Sequence, residues 1–250
     1  MPPKPARRLL YRAVPLALFL GLWQFATLFF SPLVLPPIPD VIARLVEIIG
    51  GEKFLPTVLT TVFRLIAGLG IGVLVGSLIG LLFGHSKTAE EMFSPFINIL
   101  QSVPPVSWVV LALVWFGFNG KPCIFIVAAA TIPTMVINLS SGIRSIDPSL
   151  IEMARLYRFS RGKILRHIIF PSIRPYFRSA LEIVIGGGWK LVVMGEALTT
   201  NSGIGGAITT ARLNIEPDSI IAWAVLLVFF CFVTQKLLRV LVRGKKVAGC

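Results

Sequence analysis

Charge is what this sequence has least of. Only 14% of its 250 residues are Asp, Glu, Lys or Arg, against about 25% in a soluble domain, and that shortage excludes an ordinary water-soluble fold. Histidine is nearly absent: His85 and His167 are the only two, and neither has a metal-ligand partner at helical spacing. The three cysteines, Cys123, Cys231 and Cys250, are odd in number and scattered, which gives neither a disulfide framework nor a metal-binding spacing. A phosphate-binding G-x-x-x-x-G-K-[ST] loop is missing, since "SRGKIL" lacks the upstream glycine and the hydroxyl. No serine sits in a G-x-S-x-G elbow. The sequence therefore predicts no catalytic residues, no metal site and no cofactor held by the chain itself.

What is present is hydrocarbon. Hydrophobic residues make up 55% of the chain and the mean hydropathy is +0.84. Several uncharged runs approach the ~20 residues that cross a bilayer as a helix. The reading is an all-α membrane protein, one domain over residues 1–250, with six transmembrane helices at about 13–30, 57–83, 93–118, 122–142, 176–199 and 219–241. The first run is too long for a signal-peptide core and is followed by "SPLVLPPIP" where a small-residue cleavage site belongs, so it is read as a retained span.

The net charge of +13 suggests nucleic acid at first sight, but no groove-reading or base-stacking module accompanies it. Topology accounts for it better. Eighteen cations fall in the N-terminal segment, at Lys87, from Arg144 to Arg178 and from Lys236 to Lys246, whereas the opposite side carries Arg44, Lys53, Lys121 and Arg212. By the positive-inside rule both termini and the 143–175 loop are cytoplasmic. On the outer side, the stretch from about Asp40 reads as a short amphipathic helix, either lying in the interface plane or simply linking two spans.

Within the spans, Gly68, Gly72, Gly76, Gly80 and Gly84 recur every four residues and form a smooth ridge that admits another backbone. Pro104 and Pro105 break the third predicted span, either as a simple kink or as the wall of a pathway, and Pro133 sits inside the fourth. Four ionisable residues lie in or near apolar runs: Arg64, Glu182, Lys190 and Glu196. Arg64 is near the outer end of its helix, where it can snorkel to water. Lys190 and Glu196, six residues apart, occupy different faces and do not pair; Lys190 either attracts an anionic solute or meets a charge on a neighbouring helix.

The stretch "IEMARLYRFSRGKILRHIIFP", Ile151 to Pro171, concentrates five cations, Arg155, Arg158, Arg161, Lys163 and Arg166. Topology alone does not explain its internal order. Asp147 before Pro148 is an N-cap with proline at the first helical position, and Ser160 caps a second short helix. Two short helices closed by Pro171 and Pro175 make a shaped projection on which something docks.

That stretch resembles the EAA loop of the permease subunits of bacterial ABC importers, whose pattern is E-A-A, three residues, G, nine residues, I-x-L-P; Glu152, Ala154, Ile168 and Pro171 fall in register. The flanking stretches "PPVSWVVLALVWFGFNGK" and "WKLVVMGEALTTNSGIGGAI" are similar to the nitrate, sulfonate and taurine branch. The resemblance implies a type I importer permease fold with cytoplasmic coupling helices, in which Glu152, Ala154, Arg155, Arg158, Gly162 and Pro171 transmit force from a separate ATPase subunit that holds ATP and Mg. It implies as further partners an extracytoplasmic solute-binding protein and a second permease copy, with the glycine ridge as a candidate dimer interface and Pro104, Pro105, Lys190 and Glu196 as candidates for a pathway carrying a small oxyanion such as a sulfonate or nitrate. Departures are Met153 for the first alanine, Phe170 for the leucine and Arg158 at the family glycine, where a left-handed turn is expected. A membrane scaffold that recruits an ATPase without transporting, and a membrane-embedded lipid enzyme, stand as alternatives.

Overall fold

The computed structural model describes residues 5–242, with side chains described from 14 to 240. Cys250 and the cations Arg243, Lys245 and Lys246 lie outside that range. Among the described residues all regular structure is helical. Helix α1 (Pro5–Ala26) ends before the predicted boundary at Phe30. The chain then folds back, with Trp23 Nε1 donating to the Pro36 carbonyl at 3.1 Å and the Ile38 amide donating to Gln24 Oε1 at 3.2 Å.

Helix α2 (Ile38–Gly50) is amphipathic. One side turns Arg44 inward, where it donates to Glu47 at 2.8 Å and Ser219 at 2.6 Å and pairs with Glu216 at 2.9 Å. The other exposes Ile42, Val46 and Ile49 in one row.

Helices α3 (Phe54–His85), α6 (Lys121–Arg144) and α11 (Pro217–Val242) are each long and apolar enough to cross a membrane. Between the first two, α4 (Lys87–Ser102) and α5 (Pro105–Phe116) replace the single predicted span 93–118 and meet at 97°. The cause is local. Pro104 and Pro105 supply no amide hydrogens, and Val103 and Pro104 adopt extended backbone, so α4 stops and α5 restarts with Pro105 in its first turn. A kink is therefore too weak a description of this break.

The glycine ridge of α3 is occupied by α6 of the same chain. A Cβ added at Gly68, Gly72, Gly76 or Gly80 falls 2.5–3.0 Å from the Cβ of Val127, Thr131, Met135 or Leu139 respectively, and Gly84 abuts Ile143. The partner number rises with the glycine number at a constant offset, so the two helices run parallel. That geometry corrects the expectation of a dimer interface along the ridge, because no room is left there for a second chain.

Helix α7 (Pro148–Leu156) is a short projection, and α8 (Arg161–Ile164) begins the return. Pro171 and Pro175 do not close α8 as the sequence suggested. Helical backbone continues from Arg161 through a π turn (Leu165–Ile169) into α9 (Phe170–Thr199). The π turn, in which the Phe170 amide reaches back to the Leu165 carbonyl, comes just before Pro171 and widens the coil where the ring would otherwise press on the preceding turn.

Helix α10 (Gly203–Leu213) wedges between α3, α9 and α11 and is fastened by a buried ion pair. Arg64 Nη1 donates to Glu196 Oε1 at 2.7 Å and to the Ser202 carbonyl at 3.0 Å, and Nη2 donates to Ser202 Oγ at 2.7 Å. Thr61 Oγ1 and the Gly205 amide donate to Glu196 Oε2 at 2.9 and 3.0 Å, while Thr61 Oγ1 accepts from the Ile204 amide at 2.8 Å. The carboxylate thus sits at the amino end of α10, where the helix dipole favours it. Arg64 does not snorkel, as its sequence position suggested, because its counter-ion lies inward; it is 9% exposed and Glu196 is fully buried.

Two measurements test this architecture. Gly72→Val, which drives a branched side chain into Thr131, is expected to lower stability by about 1–3 kcal/mol, whereas Gly70→Ala, which meets nothing within 4 Å, is expected to leave the thermal midpoint of the detergent-solubilised protein unchanged. Arg64→Met leaves a buried carboxylate unpaired and is expected to cost about 3–5 kcal/mol. Adding Glu196→Met is expected to recover part of that loss, and an additive double mutant would show that the pair is not coupled.

Candidate functional site

Helix α7 is built as a presenting surface. Asp147 Oδ1 accepts the Ser149 amide at 2.9 Å and Pro148 occupies the first turn, so the start of the helix is fixed by its own sequence. That amide holds the Asp147 carboxyl below the usual carboxylate range. The cap is therefore intact at neutral pH and is lost only as the pH falls through that lowered value.

The end of α7 is closed by a pair of backbone bonds. The Phe159 amide donates to the Ala154 carbonyl at 2.9 Å and the Arg158 amide to the Arg155 carbonyl at 2.9 Å. This is the Schellman arrangement, and it puts the residue between the two bonds into the left-handed region. Arg158 occupies that place with φ +55°. Glycine adopts this geometry without a Cβ penalty, so Arg158 carries strain that the family glycine avoids.

Only one side of α7 packs on the rest of the chain. Ala154 is buried, which explains a small residue at that position. Glu152 and Arg155 are exposed, and so are the apolar side chains of Met153, Leu156 and Tyr157, the last two at 83% and 71%. Gly162 in α8 is exposed, with open space where a Cβ would be, so no close contact requires glycine there. Ser160 Oγ accepts the Lys163 amide at 3.4 Å and starts the helix that runs unbroken past Pro171.

The four pathway candidates are not brought together. Glu196 belongs to the closed network with Arg64, Thr61 and α10, so its carboxylate faces protein and not a passage; this corrects its reading as a pathway residue. Lys190 is exposed and forms no ion pair among the described residues. It shares a face of α9 with the exposed Ile183 and with Gly187, beside which there is open space. Pro104 and Pro105 are exposed at the 97° elbow.

The sequence reading missed the polar residues around that elbow. Asn98, Gln101, Ser102 and Ser107 are all exposed there. Their signal was present as polar letters inside "INILQSVPPVSW", but polarity was averaged over the whole apolar window. Exposed amides and hydroxyls at membrane depth need water or protein as neighbours, since lipid satisfies none of them. Glu182, the remaining ionisable residue, pairs with Arg239 of α11 at 3.4 Å.

Comparison with known proteins gives this geometry its family. Residues 68–247 match the model of the binding-protein-dependent transport system inner membrane component. The aliphatic sulfonates transport permease protein SsuC of Escherichia coli (strain K12) is 30% identical over 227 residues, covering 89% of this chain and 86% of that one. The taurine transport system permease protein TauC of the same organism is 28% identical over 227 residues, covering 88% and 82%. Among solved structures, an inward-facing form of the MetNI methionine ABC transporter superposes with a TM-score of 0.65 at 19% identity, over 74% of this chain and 92% of that one. The all-helical bundle and the capped projection at α7 and α8 agree with these likenesses: the chain belongs to the binding-protein-dependent transport system inner membrane components, and it is the permease subunit of an ABC importer, with ATP hydrolysis carried out by a separate ATPase.

Proposed function

We propose that two copies of this permease form the pathway of an importer for a small oxyanion, and that α7 and α8 are its coupling element. The single observation that carries the coupling assignment is the exposed apolar set Met153, Leu156 and Tyr157, on a rigidly capped helix outside the long apolar spans. Exposed apolar groups of this size need a partner surface. Glu152 and Arg155 flank them and supply charge-assisted contacts. The partner is the ATPase subunit, which holds ATP and Mg; Ala154 lets α7 seat closely, Arg158 fixes the turn, and the helix from Arg161 through Gly162 and Pro171 carries movement into α9.

The cation distribution supports placing both termini and this loop in the cytoplasm, with α2 and the start of α3 facing the extracytoplasmic binding protein. Solute would pass between the copies along the elbow at Pro104 and Pro105 and the face of α9 that carries Lys190. A lysine without a carboxylate partner on an otherwise apolar face attracts an anion. Taurine and aliphatic sulfonates, named for the two relatives, are of that class.

Three variants test the reading. Glu152→Ala is expected to weaken co-purification of the cognate ATPase by about 10-fold or more, the loss that follows from removing a hydrogen bond to a charged group; undiminished recovery of the complex would remove Glu152 from the docking surface. Arg158→Gly relieves the left-handed residue and is expected to stabilise the chain by about 1 kcal/mol, read as a raised thermal midpoint. In vesicles loaded with the whole transporter, Lys190→Met is expected to cut sulfonate uptake at least tenfold and Lys190→Arg to retain most of it. Equal uptake by all three proteins would exclude Lys190 from the pathway.

A further inference from the structure

Beside the buried ion pair, on the outward flank of α3 and α6, lies a groove of about 650 Å³ with two unlike ends. Leu59, Phe63 and Ile124 form its apolar wall, and Arg64, Asn119 and Lys121 form its polar end. The groove is at the end of the bundle opposite α7, where α6 begins and α3 is within its first three turns.

Each polar group there has a definite remaining capacity. Thr60 and Asn119 are engaged locally, since the Thr60 hydroxyl donates to the Pro56 carbonyl at 2.8 Å, Asn119 Oδ1 accepts the Lys121 amide at 2.8 Å and the Asn119 amide nitrogen donates one of its two hydrogens to the Phe116 carbonyl. The Lys121 ammonium is exposed and forms no ion pair among the described residues. Arg64 is 9% exposed; its two terminal nitrogens are committed to Glu196 and Ser202, while its Nε–H has no acceptor among the described residues. No carboxylate lines the groove, because Glu196 lies behind the guanidinium with its oxygens already bonded. The polar end thus offers donors and positive charge and no acceptor of opposite sign.

The apolar wall continues along one face of α3, where Leu55, Leu59, Phe63 and Ile66 are all more than half exposed and no charged residue interrupts them. This is the face opposite the glycine ridge, and Phe116 and Phe118 are exposed close by in the chain. Long apolar walls leading from a cationic end match a molecule with the same division. A free oxyanion leaves the wall unused. An apolar segment of a second copy leaves Lys121 without a counter-charge.

We infer that this groove binds an anionic phospholipid of the adjoining leaflet, its phosphate held by Lys121 and the Nε edge of Arg64 and an acyl chain lying on Leu59, Phe63 and Ile124. Juxtamembrane cations attract anionic headgroups in this way, and each buried methylene adds to the binding. Bound phosphate also adds a second anion on the exposed side of Arg64, so the lipid braces the guanidinium that fastens α10. The inference does not depend on which solute is carried or on which side of the membrane this end faces.

The full chain, purified in neutral detergent, tests it through its thermal midpoint with phosphatidylglycerol, phosphatidylcholine of the same acyl chains, or inorganic phosphate. Phosphatidylglycerol is expected to raise the midpoint above the phosphatidylcholine value by about 2 °C or more. Lys121→Gln is expected to abolish that difference and Phe63→Ala to reduce it. Lys53→Gln removes the same charge outside the groove and is expected to preserve it. A difference that survives in Lys121→Gln, or one that phosphate alone reproduces, overturns the lipid site. So does disulfide-linked dimer formation by Phe63→Cys but not by the wild type, because a second copy would then cover the face.

Discussion

A guanidinium and a carboxylate, both removed from water, set the arrangement at one end of this bundle. Burying either charge alone is costly, and the pair is tolerable because both carboxylate oxygens and both terminal guanidinium nitrogens are hydrogen-bonded. Glu196 takes bonds from Arg64, Thr61 and the amide of Gly205, so one side chain of α9 touches α3 and the beginning of α10 at once. The backbone is shaped to permit this. Gly203 has φ +83°, and a Cβ on it would overlap the Glu196 carboxylate, while a Cβ on Gly120 would overlap the guanidinium. Cys123 and Thr199 continue the contact between α6 and α9 at 3.4 Å on the same level. The wedge of α10, the first turns of α3, the end of α9 and the start of α6 therefore share one polar knot.

Much of the fold was legible because it follows from neighbours in the chain. The five glycines spaced by four announced a close helix pair, although a sequence cannot say whether the facing helix belongs to the same chain. The caps at Asp147 and Ser160 were readable because serine, aspartate and proline act on amides only two or three residues away. Paired prolines announced a break at Val103 and Pro104, but the 97° angle depends on how α4 and α5 pack on α6, which is a tertiary matter.

The site was less legible wherever partners are distant or where the usual residue is missing. Arg64 and Glu196 lie 132 positions apart, and nothing local to either advertises the other. Their hydropathic cost marked both, Arg64 as a residue able to snorkel and Glu196 as a pathway candidate, and only geometry separates the compensated pair from the uncompensated Lys190. The left-handed residue at the end of α7 carries no glycine signal, since arginine stands there; the family pattern pointed to the position and the backbone then supplied the reason. The π turn before Pro171 was hidden for a related reason. Proline reads as a stop in sequence, yet a helix that widens by one residue just ahead of it continues.

The parallel pairing of α3 and α6 has a mechanical consequence. Each glycine notch holds the residue at the same offset along its neighbour, so five contacts share one spacing and behave like teeth in a rack. A slide of any fraction of that spacing presses every β-carbon of α6 against α3 between notches at the same moment. The next position where the teeth mesh is four residues away, about 6 Å along the axis. Small continuous shear between these two helices is thereby disfavoured, and the two translate and tilt as one rod.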